Sequence, residues 1–273
     1  MPNQFIFHRC VDGGVTRTEK LSKIFTGWKG AKERWMFLSP HDDDSIIGGG
    51  LTMLAGVENG IPTHSVITTD GSMGYCDMSQ QYSISEDRLK EAVASYVSVG
   101  LPPANVHFLH FPDCSLGHYS GRRRTERTDR TGILDYTGLQ NAYTYILRKI
   151  APTRVFLPTG ADFHPDHKMV HQELLISIFH AQGEIWPELG KPIPEIPKVY
   201  EFAVYCDLPD PPQIKIEASE KAMGKKLKAI GAFVSQRQIS ALVTKIRESG
   251  PVEYLHERQF QLYSPEKYSG LFE

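Results

Sequence analysis

Seven consecutive residues, Ser39-Pro40-His41-Asp42-Asp43-Asp44-Ser45, bring one imidazole and three carboxylates together. Asp and Ser cap helices and favour the positive end of a helix dipole, so a helix N-terminus explains part of this composition. It does not explain the charge. Adjacent carboxylates repel one another, and near a core each prefers to be protonated unless a cation compensates. A divalent metal removes that conflict. A second cluster, His164-Pro165-Asp166-His167, repeats the same residue types. Residues three apart in a first helical turn share a face, so His41 with Asp44, and His164 with His167, can each point into one cleft. The bland reading of an isolated H-x-x-H is a pair of surface histidines, and His171 is a further ligand candidate by spacing alone. His, Asp and His with an open fourth position suit catalytic zinc, which activates water and polarises a carbonyl. A spare carboxylate would take the water's proton, and a spare imidazole would steady an oxyanion or protonate a leaving group.

These clusters work together only if the fold brings them to one place. From about residue 34 short apolar runs alternate with helical patterns, as in βα units feeding a mostly parallel sheet. Residues 35–40, 63–69, 105–111 and 153–158 read as strands; 46–60, 85–100 and 138–150 have helical spacing. The expected fold is therefore α/β, Rossmann-like, with helices on both faces of the sheet and ligands beyond the C-terminal ends of the strands. Both clusters follow predicted strands, so they should converge at that edge. Beyond them come a loop running into a helix, a Pro-rich surface stretch over 186–199 and a strand over 199–206. Residues 216–248 look helical, and 252–268 read as a final strand or packed tail. No repeat or long linker divides the chain, and a single domain over 1–273 is expected.

The residues resemble the PIG-L or LmbE-like deacetylases of N-acetylglucosamine derivatives. That family's signature (A/P)-H-P-D-D-E appears as Pro40-His41-Asp42-Asp43-Asp44-Ser45, and its later H-P-D-H as His164 to His167. Thr69-Asp70-Gly71 through Gly74 looks like its glycine loop, Arg88 to Glu91 like its R-x-x-E helix, and His110-Phe111-Pro112-Asp113 like the segment after its third strand. Lys228-Ala229-Ile230 through Ser235-Gln236 resembles a late helical signature, so the likeness spans roughly residues 34–236 in one order. It implies metal binding by His41, Asp44 and His167, with zinc, iron or another divalent ion as the cofactor. It also implies Asp43 as general base, His164 as the group that stabilises or protonates the tetrahedral intermediate, and Asp166 as the residue orienting His164. Arg88 and Asp113 match positions that contact sugar hydroxyls. Two residues depart from the pattern: Asp42 replaces proline and Ser45 replaces glutamate, and Asp42 thereby competes with Asp43 as base. The implied activity is removal of an N-acetyl group from a small-molecule N-acetylglucosaminide. Deacylation of another amide and an inactive sugar- or metal-binding module are its rivals.

Composition narrows the alternatives. Thirty Lys and Arg against 32 Asp and Glu leave a formal charge of −2, which offers no global attraction for nucleic acid or an anionic membrane. No apolar run suits an export signal or a membrane span, and the four cysteines lack C-x-x-C spacing, so a cytoplasmic protein is expected. A homo-oligomer is compatible with all of this. Walker, G-x-G-x-x-G, G-x-S-x-G and H-E-x-x-H motifs are absent, and Gly48-Gly49-Gly50 reads as a close approach of helix to sheet. After Asp113 comes a run holding Arg122, Arg123, Arg124, Arg127 and Arg130. As a charge run it is first a solvated loop, and alternatively a grip on an anionic part of the substrate, with Tyr75, Tyr119 and Tyr136 around the same mouth.

Overall fold

The computed structural model describes residues 4–260 and 263–272; Gln261 and Leu262, inside the expected tail, lie outside the described residues. Its elements are β1 (Phe5–Val11), β2 (Gly14–Thr18), β3 (Trp35–Ser39), α1 (Asp44–Glu58), β4 (Thr63–Thr69), α2 (Ile84–Ser98), β5 (Val106–Phe111), β6 (Arg123–Arg124) and β7 (Tyr136–Thr137). They continue with α3 (Leu139–Ile150), β8 (Arg154–Pro158), α4 (Pro165–Gln182), β9 (Lys198–Phe202), β10 (Ile214–Ala218), α5 (Glu220–Ile230), α6 (Ile239–Glu248) and β11 (Val252–Arg258).

Nine strands form one sheet in the order β2-β1-β10-β11-β9-β8-β3-β4-β5. The run from β9 to β5 is parallel and is the expected Rossmann-like layer. Strand β11 pairs antiparallel with β9, and β10, β1 and β2 continue antiparallel from there. The N-terminal hairpin β1–β2 was not anticipated, and one expectation changes: the segment read as helical from residue 216 begins in β10. There Ile-Lys-Ile-Glu-Ala alternates buried and half-buried positions, a period-2 pattern just before the helical spacing of α5.

Side chains of β3 alternate between two cores. Trp35 and Phe37 pack with α1, α2 and α5, whereas Met36 and Leu38 pack with α3 and α4. From β3 the chain moves outward to β4 and β5, then returns to β8 on the other side of β3. The two strands therefore flank a topological switch point, where loops diverge and leave a crevice. The loops that follow them carry the two clusters.

Helix α1 approaches the sheet closely. A Cβ on Gly48 would stand 2.7 Å from the Ala203 carbonyl and against the Phe202 ring. Its middle is clamped by Glu253 of β11, whose carboxylate accepts from the Leu51 and Thr52 amides at 2.7 and 2.9 Å and from Lys226 Nζ at 2.7 Å. Gly48→Ala should therefore overpack the contact with β9 and cost about 1–3 kcal/mol of stability. Urea unfolding of the two proteins measures this; an unchanged midpoint would show that the helix has room to shift.

Candidate metal and catalytic centre

The chain turns immediately after β3, so His41 is buried beneath the first turn of α1 while Asp44 opens that helix. His41 Nδ1 lies 3.2 Å from Asp44 Oδ2. From across the switch point His167, in the first turn of α4, brings Nε2 to 3.4 Å from the same oxygen. One ligand atom from each of His41, Asp44 and His167 can be chosen so that all lie within 4.8 Å of one another. His41 Nδ1, Asp44 Oδ1 and His167 Nε2 are buried without a hydrogen-bond partner. Buried polar atoms are rarely left so, and three in one place mark a missing partner. Two imidazoles and a carboxylate around that space fit a divalent cation.

Electrostatics agrees with the geometry. Burial would raise the Asp44 carboxyl, but the adjacent His167 and His41 hold it far below the usual range. Burial would lower His41, yet Asp44, Asp113 and Asp166 keep it well above the ordinary imidazole value. The site thus draws positive charge, which a metal supplies in place of protons. Asp43 behaves differently from Asp44: burial, Asp42 and Asp44 push it up to about 6, against the pull of Arg88 and His41.

The remaining groups are placed by specific contacts. Arg88 reaches from α2 to grip Asp42 with Nε at 2.8 Å and with Nη2, and stands 3.6 Å from Asp43 Oδ2. The guanidinium expected to contact sugar hydroxyls is therefore engaged by Asp42, whereas half-buried Asp43 has only the longer contact to it. Asp113 accepts from Met73 N and Cys114 N and lies 3.1 Å from His41 Nε2, so it braces the His41 ring and the glycine loop. Asp166 meets His164 through its main chain. Its carboxylate accepts from Cys114 N at 2.8 Å and Leu116 N at 3.3 Å, and it is the Asp166 amide that donates to His164 Nδ1 at 3.2 Å. His164 is thereby the N-cap of α4. With Nδ1 accepting, the neutral ring carries its proton on Nε2 and is a donor there. Burial and the neighbouring His41 and His167 charges lower its pKa, which keeps it neutral.

His171 faces Glu201 of β9 at 2.7 Å and stays apart from the metal-ligand group. Asp162 was not anticipated. Fully buried, it accepts from His164 N at 3.0 Å and stands 3.2 Å from His167 Nδ1, behind the ring's cleft-facing nitrogen. Only its place two residues before His164 hinted at this. Tyr205 was also missed: its ring sits 5.1 Å from that of His167 and stacks at 5.8 Å on exposed Phe163. Distant motifs meet around the site too, since Glu91 accepts from Ser235 N at 2.8 Å and Gln236 donates to the Gly74 carbonyl at 2.9 Å.

Residues 36–177 match the model of the PIG-L family, described as GlcNAc-PI de-N-acetylase. The chain belongs to the PIG-L family. A deacetylase of 1D-myo-inositol 2-acetamido-2-deoxy-alpha-D-glucopyranoside from Kineococcus radiotolerans is 26% identical over 185 residues, 62% of this chain and 51% of that protein. The chain thus spans about half the length of this curated relative. N,N'-diacetylchitobiose deacetylase from Pyrococcus horikoshii superposes with a TM-score of 0.63 at 23% identity, covering 84% of each chain. The 4-carboxy-2-hydroxymuconate hydratase of Pseudomonas putida does so with a TM-score of 0.61 at 17% identity, over 85% of this chain and 98% of its own. These likenesses establish the fold; since a deacetylase and a hydratase share it, the reaction has to be read from the site. Within the PIG-L pattern, the aspartate at position 42 is the carboxylate that Arg88 neutralises.

A carboxylate behind a ligating imidazole orients the ring and raises its basicity. For a divalent ion held by His41, Asp44 and His167, Asp162→Ala is expected to weaken affinity about 10- to 100-fold. Titration against a competing chelator reads this, and unchanged affinity would assign Asp162 to loop structure alone.

Proposed function

We propose that the chain is a divalent-metal-dependent N-deacetylase acting on a small N-acetylglucosamine derivative. The observation that carries the reading is the group of unpartnered donors on His41, Asp44 and His167, with Asp43 and the Nε2–H of His164 beside it. His41, Asp44 and His167 would hold the ion, and this donor set suits zinc, with iron as the alternative. When bound, such an ion supplies the Lewis acidity that polarises an amide carbonyl and acidifies water.

The protein's own groups carry the protons. Asp43, with a carboxyl pushed up to about 6, is a stronger base than an ordinary aspartate and still ionised at neutral pH. It accepts the proton of the attacking water as the new C–O bond forms. His164 Nε2–H donates a hydrogen bond to the oxygen of the tetrahedral centre, and the proton taken up by Asp43 passes to the nitrogen as the C–N bond breaks, leaving acetate and an amine with Asp43 ionised again. Asp42 is held by Arg88 and cannot turn toward the water without abandoning a buried ion pair. The names of the Kineococcus and Pyrococcus relatives, both deacetylases of N-acetylated sugars, support the substrate class.

Acetate release from N-acetylglucosaminides, with chelated protein reloaded with zinc or iron, tests the reading; no release under any loading would overturn it. Asp43→Asn should lower turnover about 10²- to 10⁴-fold while metal content stays at that of the unaltered protein. If Asp42→Asn causes the larger loss and Asp43→Asn remains active, Asp42 is the base after all.

A further inference from the structure

The arginine run resolves into residues that build a loop and others that do not. Arg122 lies between the Tyr136 and Trp186 rings at 3.6 and 4.5 Å, and it donates to Asn141 Oδ1 and Glu188. Arg123 pairs with Asp129 through two contacts of 2.7 Å. Both stabilise the β6–β7 hairpin and are unavailable to a ligand. Arg130, by contrast, has no hydrogen bond or ion pair among the described residues. It forms part of the wall of a cavity of about 260 Å³ between β5, the hairpin and the start of α3.

His110 lines the same cavity. Along the β4–β5 pairing Ile67 lies opposite Phe108, but Thr69 lies opposite Phe111, so β5 carries one extra residue and bulges. His110 sits in that bulge with a φ of 57°, in the left-handed region, and the bend turns its exposed side chain outward against Phe108. Bulges beside active sites re-aim side chains in this way. His110 and Phe108 also line a second cavity, bordered by Asp42 and Asp70, on the catalytic side of the strand. Of the polar groups around the first cavity, Asn141 Nδ2 is spent on the Ile133 and Tyr136 carbonyls, and Thr131 and Thr137 pair with each other at 3.2 Å. Arg130 is the one formally charged side chain among its lining residues.

We propose that this cavity is a subsite for a phosphate or carboxylate group, held by the Arg130 guanidinium and the His110 imidazole. A guanidinium presents paired donors that match the oxygens of either anion, and the His110 ring adds a third. The shared His110 wall connects the subsite to the catalytic side of β5. An anion borne by the substrate, on the part beyond the glucosamine, would therefore be read here; that form of the proposal rests on the deacetylase reading.

Isothermal titration of inorganic phosphate into the unaltered protein, Arg130→Ala, His110→Asn and His167→Ala tests it. Asparagine tolerates the left-handed backbone at position 110, so that variant changes the donor and keeps the bulge. Arg130→Ala should weaken phosphate binding at least 10-fold and His110→Asn several-fold, while His167→Ala should leave it intact. Binding should also weaken as ionic strength rises from about 0.01 to about 1 M. Absence of phosphate binding, or equal binding with and without Arg130, overturns the proposal. So does binding lost only in His167→Ala, which would place the phosphate at the metal-ligand group. A kinetic arm separates the sources of the anion, using the ratio of KM for N-acetylglucosamine 6-phosphate to KM for N-acetylglucosamine. A ratio raised at least 10-fold in Arg130→Ala assigns the anion to the substrate, whereas an unchanged ratio beside lost phosphate binding assigns the subsite to a free anion. Failure to turn over either sugar would sink the deacetylase reading alone and leave the phosphate result standing.

Discussion

Three consecutive carboxylates can share the buried end of a strand only if each has a different partner. Arg88 takes Asp42, the imidazoles of His41 and His167 take Asp44, and Asp43 between them has neither in full. Much of the surrounding structure follows from that division. Helix α2 must lie where Arg88 can reach across, and the glycine loop must pass close beneath its guanidinium, where a Cβ on Gly74 would stand 2.9 Å from Nη1. Helix α4 must start against α1, so that its first turn delivers His167 and its N-cap delivers His164. One electrostatic problem thus sets the positions of three helices, and the residue left least neutralised is the one proposed to accept a proton.

The parallel half of the sheet was legible because its strands are short apolar runs with helical spacing between them, and because both His/Asp clusters immediately follow such runs. What escaped was set by contacts distant in sequence. The five residues of β10 are too few to stand out from the helical pattern that follows them, and their role depends on β1 and β11 on either side. Asp162 reads as an ordinary loop aspartate until His167 is placed behind it, and Glu201 looks like a strand residue until His171 meets it at 2.7 Å. Side-chain identity was easier to read than side-chain direction. Asp166 and Arg88 were recognised as site residues, but their partners are backbone amides and a neighbouring aspartate.

The arginine run makes the same point about charge. By composition its five cations are equivalent, yet the aromatic pair around Arg122 and the carboxylate of Asp129 turn two of them into scaffold. A stacked guanidinium retains its charge while losing the freedom to meet a ligand. Counting charges in a loop therefore overstates the field it offers to a ligand, since neighbouring rings and carboxylates decide which guanidiniums stay free.

The position of β11 bears on when this protein becomes competent. Among the described strands it comes last in sequence, yet it stands between β9 and β10, where it joins the parallel layer to the antiparallel one. The β1–β2 hairpin precedes the other strands of the sheet in sequence but has no place in it until β10 and β11 are present, since Phe5 pairs with Ala218. Contacts so distant in sequence form late, after the local βα units have collapsed. The same strand supplies Glu253, which grips the middle of the helix that begins at Asp44. The helix bearing the acidic cluster is therefore secured by a strand about 200 residues further along the chain, so its support is complete only once β11 is in place.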